Sequence, residues 1–347
     1  MMRPRAVLTS GLLLLAATAA WADRTITDQL GHSVTIPDTV ERAVVLQHQT
    51  LNIAVQLDAL DQIVGVLDEW KKQLGPGFSR LAPGIEEKAT PGGLTSVNIE
   101  ALAALDPDVV FVTNYAPAEM RDQIAAIGLP VVAISLLDVP PEEAVKMNPT
   151  VTDEAEAYDK GFAEGVGIIA EVFGKQAEGQ ALIGAASESR DLVASRLADL
   201  APGERTRAYM ANPELTTYGS GKYTGLMMER AGAMNVAAAT IKGYQQITME
   251  EIIRWNPQVI FVQDRYPQVV DEIRNGAAWQ SIDAVRDGRV MLMPEYAKAW
   301  GYPMPEAQAL GELWMAKALY PARFDDIDME ARANAYYERF YRAPYRE

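Results

Sequence analysis

The chain has 347 residues, no cysteine, two histidines and a formal net charge of −16, with 49% hydrophobic and 22% charged residues. That length allows one or two domains with a sizeable core, and the lack of cysteine excludes disulfides, iron–sulfur clusters, thiolate zinc sites and a lipid-modified cysteine behind a leader. The acidic balance argues against nucleic acid or an anionic membrane as the main partner, but leaves open an anionic small ligand, which senses only the field of its own pocket.

Residues 1–22 read as a secretory signal. Arg3 and Arg5 form a basic start, Leu12 to Leu15 sit in a short apolar stretch, and Ala20-Trp21-Ala22 fits a small-x-small cleavage site. Cleavage after Ala22 leaves a protein expected to be soluble and, in a two-membrane bacterium, periplasmic. The mature chain opens with a predicted hairpin, Thr25 to Leu30 and Ser33 to Ile36 around Gly31-His32, feeding a buried strand Ala43 to Leu46. A helix near 50–59, a strand at Ile63 to Val66, a strand at Val109 to Val112, a helix near 117–127 and a strand at Val131 to Ile134 follow. This alternation favours parallel sheets with helices outside. Between about 153 and 200 there is no proline and no apolar strand run, so two long helices are expected, about 153–173 and 176–199, parted near Gly174. Strands resume at Thr206 to Met210, Val259 to Val262 and Val290 to Met293. Helices are expected near 223–232, 304–318 and 328–341.

One phrase occurs twice. Asn98-Ile99-Glu100 through Pro107-Asp108-Val109-Val110-Phe111-Val112 is echoed by Thr248-Met249-Glu250 through Pro257-Gln258-Val259-Ile260-Phe261-Val262. Each copy has an N-cap residue, a short amphipathic helix, a proline that stops it, and an apolar four-residue strand suited to burial on both faces. The repeat predicts an α/β fold of two doubly wound α/β lobes joined by a long α-helix, with a ligand cleft between them. The expected divisions are 1–22 as signal, 23–174 as the N-terminal lobe, 175–200 as the interlobe helix, and 201–347 as the C-terminal lobe with a helical tail.

Catalytic motifs are missing. There is no Gly-x-Ser-x-Gly elbow, no His-Glu-x-x-His pair, no Gly-x-Gly-x-x-Gly and no phosphate loop. The chain is therefore read as a binding protein rather than an enzyme, with no cofactor and no metal held by its own side chains. Ligands of doubly wound sheets bind outside the carboxyl ends of the strands. That rule selects His48 after the first core strand, Trp70 after the second, and Asn114 and Tyr115 after 109–112. In the second half it selects Tyr218 and Tyr223 around the Gly219-Ser220-Gly221 turn, then Arg265 and Tyr266 after 259–262. Tyr296, Trp300 and Tyr302 follow the strand at 290–293. Together they describe an aromatic-rich cleft with a few cations, suited to a partly apolar ligand with negative groups.

The chain resembles the periplasmic binding proteins of iron-siderophore and cobalamin ABC importers, the group with a rigid interlobe helix. The resemblance is carried by Thr27 to Pro37 with Glu41-Arg42-Ala43-Val44-Val45-Leu46, by Asn98-Ile99-Glu100 through Val110, by Ala231-Gly232-Ala233-Met234-Asn235-Val236-Ala237, and by Trp279 through Val290. These stretches span essentially the whole mature chain. The resemblance implies a monomer that captures a metal chelate, first a ferric siderophore, and delivers it to an ABC permease dimer with ATPase subunits. It also implies that Glu100 and Glu250, one per lobe, dock on the permease. A corrinoid, haem, a nickel chelate or a small oxyanion such as molybdate are the alternative ligands, and a ligand-sensing or enzymatic role is the alternative function. Haem-binding members carry a tyrosine where this chain has Trp70 and then Phe78.

Overall fold

The computed structural model describes residues 23–345, so the expected signal segment lies outside the described residues. Thirteen strands are described among them. β1 (Asp23–Thr27) and β2 (Ser33–Pro37) form the antiparallel entry hairpin. β3 (Ala43–Val45), β4 (Ile63–Leu67), β5 (Ala89–Gly92), β6 (Val109–Thr113) and β7 (Val131–Ile134) form a parallel sheet in the order β5-β4-β3-β6-β7. The second lobe holds β8 (Thr206–Ala211), β9 (Thr216–Tyr218), β10 (Ala233–Asn235), β11 (Tyr244–Gln246), β12 (Val259–Val262) and β13 (Val290–Leu292). Its parallel sheet runs β10-β8-β12-β13, and β9 pairs with β11 in a small antiparallel ribbon.

The sequence repeat is a structural repeat. β6 lies between β3 and β7, and β12 lies between β8 and β13, so each copy occupies the same place in its sheet. Asn98 caps its helix by accepting from Ala101 N at 2.8 Å, and Thr248 caps its own through a box with Glu251. In each copy a left-handed residue stands just before the proline, Asp106 at φ 44° and Asn256 at φ 42°, the second as the cap of its helix. An acid or amide tolerates that conformation better than most side chains. The residue after each proline then starts its strand in the same way. Asp108 N donates to Arg42 O, and Gln258 N donates to Arg207 O, both at 2.8 Å. Burial on both faces follows from the apolar runs. Val109, Phe111, Val259 and Phe261 point into a core shared by the two lobes, while Val110, Val112, Ile260 and Val262 line the separate outer cores of their own sheets.

The two long helices are Glu154–Phe173 and Gln176–Arg196. Gly174, at φ 68°, closes the first, and Lys175 N returns to Ala170 O at 2.7 Å. At 1.5 Å per residue the second spans roughly 30 Å. The stretch expected as one helix over 304–318 contains a π-turn at Ala307–Gly311 before the helix Glu312–Leu319. A Cβ on Gly311 would lie 2.7 Å from Ala297 O, so the wider turn sits where two backbones come into close contact.

The tail helix Met329–Phe340 packs across onto the first lobe. Tyr336 Oη donates to Gln56 Oε1 at 2.6 Å and Tyr341 Oη donates to Asn52 Oδ1 at 2.5 Å. Glu306, fully buried in the second lobe, accepts from Asn52, Gln56 and Tyr341. A buried carboxylate needs several donors to offset its desolvation, and here they come from both lobes and the tail.

Candidate ligand site between the lobes

His48 opens the helix His48–Gln56, three residues after β3, at the carboxyl end of the first-lobe sheet. Gln47 precedes it without capping it, because its amide is spent on Ile134 O and on the Thr50 hydroxyl. The first amides of that helix therefore have no intrahelical partner and favour negative charge. The His48 ring is buried and meets Tyr302 edge-on, with centroids 5.9 Å apart. Its Nδ1 has no hydrogen-bond partner among the described residues. Burial first, and the nearby Arg265 second, lower its pKa to about 3, so the imidazole is neutral at physiological pH.

Tyr302 comes from the second lobe and lies beside Tyr115 of the first. Burial, with the phenols of Tyr115, Tyr218 and Tyr158 close by, pushes its hydroxyl well above the usual range. Lys222 Nζ lies 5.5 Å from the Tyr302 ring and donates to Met147 O at 2.7 Å, and burial lowers its pKa to about 8. Arg265 follows β12. Its guanidinium carbon is 4.5 Å from the Trp300 ring and 5.5 Å from the Tyr266 ring, one amino group donates to Gln263 Oε1 at 3.0 Å, and its Nε has no partner among the described residues. The arrangement is a field of phenol, imidazole, guanidinium and ammonium groups. It can donate many hydrogen bonds to an anion. Among the described residues no group of three or more His, Cys, Asp or Glu is placed to hold a metal ion.

Of the residues selected at strand ends, the structure brings His48, Tyr115, Tyr218, Arg265, Tyr266 and Tyr302 together, with Trp300 behind Arg265. It does not bring in the others. Trp70 packs on Phe78 at 6.4 Å and under Lys71. Asn114 is buried with its amide committed to Ala144 O. Tyr223 is fully buried and donates to Glu312 Oε1 at 2.6 Å, behind the cleft. Tyr296 packs against Tyr345 of the tail, with centroids 5.3 Å apart. An aromatic ring at a strand end can pack under a loop as well as line a cleft. Lys222, from the same Gly219-Ser220-Gly221 turn, belongs beside the group, as does Gln263, which was not selected. Gln263 directly follows β12, so the strand-end rule could have found it, but glutamine carries no chemical signature of its own.

The family described as "Periplasmic binding protein" matches residues 44–297. The chain belongs to that family. It is 60% identical over 345 residues, 99% of its length and 98% of the relative's, to the molybdate-binding protein MolA of Haemophilus influenzae. The structure of MolA bound to molybdate matches with a TM-score of 0.90 and 62% identity, covering 93% of this chain and 99% of that one. A periplasmic solute binding protein from Veillonella parvula, 24% identical with a TM-score of 0.77 over 94% of this chain and 95% of that one, shows the shared fold. The family is periplasmic, and no helix among the described residues is long and apolar enough to cross a membrane.

Proposed function

We propose that this protein binds a tetrahedral oxyanion of the molybdate class between its lobes and delivers it to the permease of an ABC importer. The observation that carries this reading is the 60% identity, along the whole chain, to a molybdate-binding protein. The site chemistry agrees with it. A dianion buried from water needs several donors and compensating positive charge. Arg265, Lys222, the phenols, and the free amides at the start of the His48–Gln56 helix supply them. The ferric-siderophore expectation gives way to the oxyanion alternative. His48 and Tyr115 reach across to Tyr302 directly, and a bulky chelate would have to part those contacts.

Titration calorimetry tests this. Molybdate and tungstate are expected to bind, and ferric catecholates, hydroxamates and carboxylates are not. Arg265→Ala is expected to weaken molybdate by about 1.5–3 kcal/mol, the range for a lost charge-assisted hydrogen bond. Binding of a ferric chelate with no molybdate binding would contradict the reading.

A further inference from the structure

Arg265 has a long stem and many rotamers, and fixing them on ligand binding costs affinity unless they are fixed beforehand. In this structure they are. The guanidinium stacks 4.5 Å from the centre of the Trp300 ring. Trp300 is itself buried, and its indole N–H donates to Asp264 Oδ1 at 3.0 Å. Lys298 Nζ, also buried, lies 4.5 Å from the same ring. Asp264 and Arg265 are consecutive, so one loop supplies both the guanidinium and the carboxylate that pins the ring it stacks on. Guanidinium groups favour such aromatic faces, and the attraction grows where water is excluded.

We propose that Trp300 is the positioning residue of the site: pinned by Asp264 and stacked on Arg265, it holds the guanidinium with its unpaired Nε–H left for the anion. The anion is the one proposed above, whereas the clamp is made by this chain's own residues. Burial raises Asp264 to about 6, against the pull of Lys298, the Trp300 N–H and Arg265, as expected of a carboxylate enclosed among these groups.

Two measurements on the whole protein decide the matter. The first is NMR of the ligand-free chain, with the Arg265 side-chain signals identified by their loss in Arg265→Gln. Ring current from Trp300 is expected to shift them upfield in the wild type. Trp300→Leu should return them to ordinary positions, and Asp264→Asn, which keeps an oxygen acceptor for the indole N–H, should preserve the shift. The second is a double-mutant cycle read with sodium molybdate. Trp300→Leu is expected to weaken binding by about tenfold when Arg265 is present and by less than about twofold in the Arg265→Gln background. If Trp300→Leu does not fold, Trp300→Phe, which keeps a ring but has no N–H for Asp264, should reduce the upfield shift. Unchanged Arg265 signals, or equal losses in both backgrounds, would overturn the proposal. Failure of the wild type to bind molybdate would instead count against the proposed function, and the NMR result would still decide the clamp.

Discussion

His48 shows how a single buried side chain couples this site to pH. Its folded pKa, about 3, lies below the ordinary histidine value of 6.5, so the unfolded chain binds the extra proton across that window. Stability from this group is therefore complete above about pH 6.5 and is lost as pH falls toward about 3. Replacing His48 with glutamine removes the titration. The wild type is expected to lose more of its thermal midpoint than His48→Gln between pH 7 and pH 4.5, and equal losses would refute the assignment. The position of His48 was legible in the sequence because it stands directly after an apolar strand. Its neutrality was not, since that depends first on burial by the opposing lobe and then on Arg265, more than 200 residues away in the chain. Trp70, Tyr223 and Tyr296, which the strand-end rule also selected, lie outside the cluster. Each is an aromatic residue near a strand end, and only the opposing elements (Phe78, Glu312 and Tyr345) decide that it packs away from the cleft.

The repeated helix–strand element was the most legible part of the fold. Capping residue, proline and apolar run all pointed to the same structure, and local signals that agree with one another specify structure well. What the sequence concealed is the third-order detail. Asn256 adopts a left-handed conformation and its Oδ1 also accepts from Asp283 N at 2.9 Å, tying the repeat helix to the short helix Asp283–Arg286. Asn256→Ala would place a residue poorly suited to φ 42° and leave that amide without its partner. A loss of about 1–3 kcal/mol in urea unfolding is expected. No measurable loss would show that the cap is dispensable. The π-turn at Ala307–Gly311 was hidden for a related reason, since a single period of 3.6 residues cannot reveal where another backbone presses on a helix.

At the scale of the whole molecule, two lobes and a helical connector follow from the repeat and the proline-free middle. The tail does not. It crosses to the first lobe because Asn52 and Gln56 there, with Glu306, offer partners to Tyr336 and Tyr341. Glu100 and Glu250 stand exposed in the first turns of the two repeat helices, one on each lobe. They are proposed to meet basic sites on the two permease subunits. Rim ion pairs are individually weak and act mainly on orientation and association rate. Each single change to alanine is expected to lower uptake partly and the double change severely, with ligand affinity of the isolated protein intact. Normal uptake by the double variant would remove the docking role.

A molybdate-class oxyanion is proposed to sit between the lobes, held by groups from both. Molybdenum scatters anomalously, so a crystal of the protein grown with molybdate locates the ion without reference to any assumed ligand set. One strong molybdenum peak, enclosed by His48, Tyr115, Arg265 and Tyr302, is expected. A crystal with no peak there, or with its peak outside the interlobe cluster, would contradict it.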